Sequence, residues 1–246
     1  MKYFILIFFL NHIFAYSSEK IIKVGYFEIP PYAYKNSKGI LDGTAVNDII
    51  KKLNLGNNYN IQFYGFPLAR GYHELNAGNI DLLLLTTSRT FLNKSEYAHS
   101  VPICEIHEYI FVNKISEIKE FRSSNIFKNK TIGVRVGVNL PDYFEQKKNN
   151  IIVSESSGEK AINTLLQKLL NNRIDILYLS NPKAGILEAK KMKALNKIRY
   201  IQLGDHTYEV YVGFSKKLDP KIKNKVNDII TKNQDKLKNM CIVNSD

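Results

Sequence analysis

The stretch "LNAGNIDLLLLTTSRTF", residues 75–91, decides the fold. It closes a helix on small and amide residues, drives four leucines through a strand, and finishes on Thr86, Thr87, Ser88 and Arg89. An unbroken apolar run marks a strand buried on both faces, the habit of parallel sheets covered by helices. A second stretch, "LLNNRIDILYLSNP" at residues 169–182, repeats the layout: helix, amide residues, Ile-Asp, apolar strand, polar tip. Two such units imply two lobes of one design.

Outward from these anchors the elements alternate. Residues 21–27 read as a strand, and "EIPPYAY" follows as a loop that its prolines hold extended. In residues 44–55, Val46, Ile49, Ile50 and Leu53 recur at helical spacing. A strand near 60–65, a helix over 67–77 and the leucine strand 80–85 complete the first series. After residue 115 come a strand at 130–136, short elements at 140–147 and 151–153, and a helix over 158–171 with Ala161, Ile162, Leu165, Leu166 and Leu169 on one face. The strand "IDILYL", a helix opened by Pro182, the strands "IRYIQL" and "YEVYVGFS" and a closing helix over 219–238 end the chain.

This order predicts an α/β protein of two lobes, each a mostly parallel sheet flanked by helices. No Pro/Gly/Ser-rich linker parts the lobes, so strand-like segments at 107–114 and 205–214 are expected to cross between them as a hinge. The expected boundaries are 1–17 for a signal peptide, 18–110 with 207–246 for lobe 1, and 111–206 for lobe 2. Ligands of such sheets sit in the crevice at the carboxyl ends of the strands.

The chain has 246 residues, 44% hydrophobic and 24% charged, enough for a sizeable core. Lys2, an apolar run and Ala15-Tyr16-Ser17 have the parts of a cleaved export signal. An uncleaved anchor is the competing reading, but the run is shorter than the roughly 20 residues of a span and contains Asn11 and His12. A soluble, monomeric protein in the periplasm is expected. Export permits a disulfide, and Cys104 and Cys241 either pair or remain free thiols.

The net charge of +12 comes from lysines scattered over helices and loops, without the single basic stripe of a nucleic-acid binder. His99, Cys104, His107 and His206 lie near the predicted hinge in no metal-ligand spacing, and Cys104 and His107 should face opposite sides of their strand. No metal or other cofactor is expected. Nucleophile-elbow, P-loop and dinucleotide motifs are lacking, so no catalytic residue is assigned.

The remaining polar and aromatic residues at strand ends are the binding candidates. Arg89 can grip a carboxylate in bidentate fashion, with Thr86 and Thr87 beside it, although a capping role for the arginine is the plainer alternative. Tyr26, Tyr32 and Phe66 can stack on a ligand or simply fill core. Arg70 is a second cleft cation or a solvated helix charge. Glu28 is a carboxylate near the cleft mouth.

The order "VGYFEIPPYAY", "GILDGTAVNDIIKKL", "ELNAGNIDLLLLTTSR", "EYAHSVPI", "KTIGVRVGVN" and "LLNNRIDILYLS" resembles the extracellular solute-binding proteins of family 3. Those are periplasmic amino-acid-binding proteins of ABC transporters with the two-lobed type II fold, and the likeness covers nearly the whole mature chain. Its most specific part is Thr86-x-x-Arg89 followed by Ser100-x-Pro102. The family pattern surrounds that Ser-x-Pro with Phe and Tyr, where this chain has His99 and Ile103.

The resemblance implies that Arg89 clamps a ligand carboxylate and that the turn Gly137-Val138-Asn139 donates further hydrogen bonds, Asn139 with its side chain. It places Tyr26 and Ser180 where the family carries the acidic partners of a ligand ammonium, so the carboxylate clamp is kept and the ammonium site is lost. "FPLARGYHEL" is similar to a Pro-x-x-Arg segment of a less characterised branch, which again singles out Arg70. The implied function is capture of a small anionic or zwitterionic molecule, amino-acid-like or another carboxylate, with an inner-membrane ABC permease as partner. The alternatives are a small exported enzyme of the same fold, dehydratase-like with Glu28 as acid, and a ligand-sensing adaptor without transport.

Overall fold

The computed structural model describes residues 20–54, 59–87, 98–138, 140–158, 160–180 and 182–242, the His206 side chain excepted. Strand β1 (Lys20–Tyr26) leads into a loop and a two-rung hairpin of β2 (Tyr34–Lys35) and β3 (Leu41–Asp42). A π-helical turn (Val46–Ile50) runs into the short helix α1 (Lys51–Asn54), and its Val46, Ile49 and Ile50 are buried with Leu53 as their spacing predicts. Strand β4 (Tyr59–Gly65), helix α2 (Leu68–Ala77) and the leucine strand β5 (Leu82–Thr87) follow. Gly78, at φ +72°, closes α2 in the left-handed conformation that glycine adopts without a Cβ penalty.

Strands β6 (Ala98–His99) and β7 (Cys104–Asn113) carry the chain to the second series. There β8 (Thr131–Arg135), β9 (Ile152–Ser156), α3 (Ala161–Leu170), β10 (Ile176–Leu179) and α4 (Pro182–Lys191) repeat the strand and helix order. Strand β11 (Ile198–Phe214) returns, and α5 (Pro220–Lys232) and α6 (Gln234–Cys241) end the described chain. Asp219 caps α5 by accepting from the Lys221 amide at 2.8 Å, with Pro220 in the first turn where its missing N–H costs nothing. The single closing helix expected over 219–238 is therefore two, broken at Asn233.

The ladder order is β4-β1-β5-β11-β7-β10-β8-β9, with β6 against β11. Pairing is parallel within each lobe (β1 with β4 and β5, β8 with β9 and β10) and antiparallel wherever β7 or β11 takes part. These two strands are the link between lobes. One end of β11 pairs with β5, while one end of β7 pairs with β10.

Where two strands were expected, "IRYIQL" and "YEVYVGFS", β11 is continuous, because its extra residues loop out of the ladder. Tyr109 pairs with Gln202 and His107 with Thr207, so Glu108 alone faces Leu203–His206. This bulge, with Gly204 at φ +62°, lies midway along the link and marks the hinge.

Each lobe has its own core. Leu82, Leu83 and Leu84 are at most 1% exposed and join Ile22, Val24, Tyr72, Leu75 and Val212 in the first. In the second lobe Phe127, Phe144 and Tyr178 fill one face of the sheet, with Phe127 and Phe144 stacked at 4.0 Å, and Leu165, Leu166, Leu169 and Leu177 fill the other. Each fully buried aliphatic side chain contributes roughly 2 kcal/mol. The two cysteines form a disulfide that ties the start of β7 to the end of α6.

Candidate functional site

Two adjoining chambers lie between the lobes. The inner one, of about 90 Å³, has Phe27, Tyr32, Tyr72, Leu85 and Thr87 on the first-lobe side and Arg135, Val138, Tyr178, Leu179 and Ser180 on the second. The outer one, of about 310 Å³, is bounded by Tyr26, Glu28, Phe66 and Ala69 from the first lobe and by Arg135, Val136 and Ser156–Gly158 from the second. Leu68 and Arg135 belong to both, so the guanidinium stands in the wall the chambers share.

Local backbone geometry presents these side chains. Leu85 is a bulge residue at φ +62°, between the Leu84–Val212 and Thr86–Tyr211 pairs. The bulge places Leu85 and Thr87 in the inner chamber. Thr86 stays fully buried in the strand, its hydroxyl donating to the Tyr211 carbonyl at 3.3 Å. Tyr32 is held by the loop at Pro30 and Pro31, whose peptide is cis, and by Gly43, whose φ of +123° lets its backbone approach the Tyr32 carbonyl. A Cβ on Gly43 would lie 2.3 Å from that oxygen.

Two of the lining tyrosines have their hydroxyls engaged by protein groups. The Tyr72 hydroxyl accepts from the Thr87 amide at 3.3 Å, and the Tyr178 hydroxyl donates to Glu108 at 2.5 Å. Glu108 is 1% exposed and also accepts from Tyr143, so a buried carboxylate in the hinge strand fixes the Tyr178 ring. Phe27 stacks on Tyr72 with centroids 6.4 Å apart, extending the aromatic wall.

Arg135 is the electrostatic focus. It ends β8, and its guanidinium has no hydrogen-bond or ion-pair partner among the described residues. Burial alone pushes its guanidinium below its ordinary value. Around it Ser180 and Ala184 bring the amino end of α4, whose dipole adds positive potential, to the inner chamber. Among the described residues lining that chamber there is no carboxylate.

Among the sequence candidates, Tyr32, Thr87 and Ser180 meet in the inner chamber and Tyr26, Glu28 and Phe66 in the outer. Arg70 points away: it is largely exposed and pairs with Glu74 at 3.1 Å along α2. Thr86 lines neither chamber. Arg89 and Asn139 lie outside the described residues. Sequence reasoning missed Arg135, whose one signal was a lone charge near the end of the apolar strand "TIGVRVG". It also missed Met240 and Cys241, which the disulfide brings against the inner chamber.

The family profile described as bacterial extracellular solute-binding proteins, family 3, matches residues 22–239. No curated protein sequence matches the chain. Among solved structures, it is similar to a histidine-bound ABC uptake transporter substrate-binding protein of Streptococcus pneumoniae, at 20% identity and a TM-score of 0.69, over 87% of this chain and 86% of that one. An ancestral arginine-binding protein bound to arginine superposes with a TM-score of 0.72 at 18% identity, over 92% and 99% of the two chains. A Streptococcus mutans structure from a study of glutathione import via GshT and the cystine importer TcyBC gives 0.72 at 18%, over 90% and 93%. The shared fold is the type II two-lobed one.

Proposed function

This chain belongs to the bacterial extracellular solute-binding proteins, family 3, and from that premise we propose that it captures a small anionic or zwitterionic molecule between its lobes and delivers it to an ABC importer. The supporting observation is the chamber pair itself: both lobes line it, and a guanidinium without a partner among the described residues stands in its shared wall. A molecule touching both walls binds the closed form more tightly than the open one, and that difference in affinity drives closure.

In this reading the protein acts outside the cytoplasm after loss of residues 1–17, as a monomer, with residues 18–110 and 207–246 as one lobe and 111–206 as the other. Thr87 and Arg89 grip the ligand from the first lobe; Arg135, Asn139 and Ser180 meet it from the second. Two of the solved structures named above hold histidine and arginine, so amino-acid-like carboxylates are the first compounds to screen. The test is native mass spectrometry of protein purified from its own exported fraction. A small-molecule adduct is expected in the wild type and not in Arg89→Ala; an adduct of equal abundance in Arg89→Ala removes that residue from the site.

A further inference from the structure

We propose that Arg135 is the anion anchor of the second lobe, and that its ligand is a carboxylate carried on an apolar or aromatic body, preferred over the corresponding α-amino acid. This rests on the solute-binding reading above and narrows its ligand.

Three observations converge. First, Arg135 lines both chambers and its guanidinium has no carboxylate or other partner among the described residues. A guanidinium so placed is stabilised by an incoming carboxylate, which it can meet with two parallel hydrogen bonds. Second, the inner chamber beside it is walled by Phe27, Tyr72, Tyr178, Leu85 and Val138. The hydroxyls of Tyr72 and Tyr178 are engaged by Thr87 and Glu108, so these rings offer faces and edges to a ligand. Third, the local field is positive, from the guanidinium and the amino end of α4. A ligand ammonium brought into that chamber meets like charge in a partly desolvated place and finds no carboxylate among the described lining residues to offset its lost water. The only described carboxylate on either chamber is Glu28, across the outer chamber, where it accepts from the Lys35 amide at 3.3 Å. A ring or branched chain in the inner chamber, with its acid group reaching back to the shared wall, satisfies all three conditions.

The test is a calorimetric titration with a matched pair, 3-phenylpropanoate and L-phenylalanine, which differ only in the ammonium group. L-Arginine, L-histidine and L-glutamine are run alongside, on full-length mature protein stripped of carried-over ligand. The expected result is that 3-phenylpropanoate binds at least about tenfold more tightly than L-phenylalanine. Arg135→Met should then weaken 3-phenylpropanoate by about ten- to a hundredfold, with Arg135→Lys intermediate. Unchanged melting temperatures show that the variants are folded; because each removes or softens a desolvated charge, folding is expected to survive. Equal or tighter binding of L-phenylalanine overturns the inference, as does unchanged affinity in Arg135→Met. If an α-amino acid binds and 3-phenylpropanoate does not, the inference falls while the solute-binding function stands. If no compound binds and the native protein carries no adduct, both fall.

Discussion

Breaking the Cys104–Cys241 bridge should lower stability by an amount the structure sets. The two residues are 137 positions apart, so the bridge closes most of the described chain into one loop. Loop-closure entropy for that length is about 5 kcal/mol at 25 °C, an upper figure because unfolded chains keep some order. For a protein of this size about 1 kcal/mol moves the melting temperature by about 2–4 °C, so a loss of about 10–20 °C is expected. The assay is thermal unfolding followed by circular dichroism, comparing oxidised wild type, reduced wild type and the double variant Cys104→Ser, Cys241→Ser. Thiol titration of the unfolded oxidised protein should find no free cysteine. The bridge also pins α6, whose Met240 and Cys241 touch the inner chamber, so ligand affinity should fall with stability. A double variant that melts within about 2 °C of the oxidised wild type, or two titratable thiols in protein from the exported fraction, would refute the reasoning.

Other outcomes follow from single sites. Gly43→Ala should cost about 2–4 kcal/mol in denaturant unfolding, because a Cβ there collides with the rigid Tyr32 backbone and the left-handed φ strains any L side chain. It should also weaken ligand binding through Tyr32, and unchanged stability would show that the loop yields freely. Burial lowers the pKa of His99 from 6.5, so the unfolded state binds more protons as pH falls through 6.5 toward the folded-state value. Stability should therefore drop with acidification in that window and be flat above it as far as this group is concerned; thermal melts of His99→Phe should lose that component of the slope. Tyr178→Phe removes a donor from buried Glu108 and should destabilise the second lobe by about 1–3 kcal/mol while leaving the first lobe's core intact, as read by hydrogen exchange.

Much of the fold was legible because burial dictates pattern. The four leucines fit a strand covered on both sides, and the spacing of Val46, Ile49, Ile50 and Leu53 puts them on one face of a helix. What escaped was backbone irregularity. Nothing in "LLLLTT" signals that Leu85 bulges and that Thr87, not Thr86, reaches the chamber, since a leucine at φ +62° is imposed by the tertiary pairing with β11. Nothing in "LGDHT" shows that four residues can loop out opposite Glu108 without ending the strand. The cations misled for a related reason: Arg70 and Arg135 look alike as letters, yet one meets Glu74 a turn away and the other ends a strand at the lobe interface with its guanidinium unpaired among the described residues. Charge type is written in a sequence; the absence of a partner emerges only from packing.

The most direct measurement is small-angle X-ray scattering of ligand-stripped protein, titrated with whatever molecule native mass spectrometry recovers from the exported form. The expected result is a smaller radius of gyration on binding, as the lobes on either side of the β7–β11 link close over the chambers, and no such change in Arg135→Met at the same concentration. A radius that stays constant while the molecule demonstrably binds would contradict inter-lobe capture.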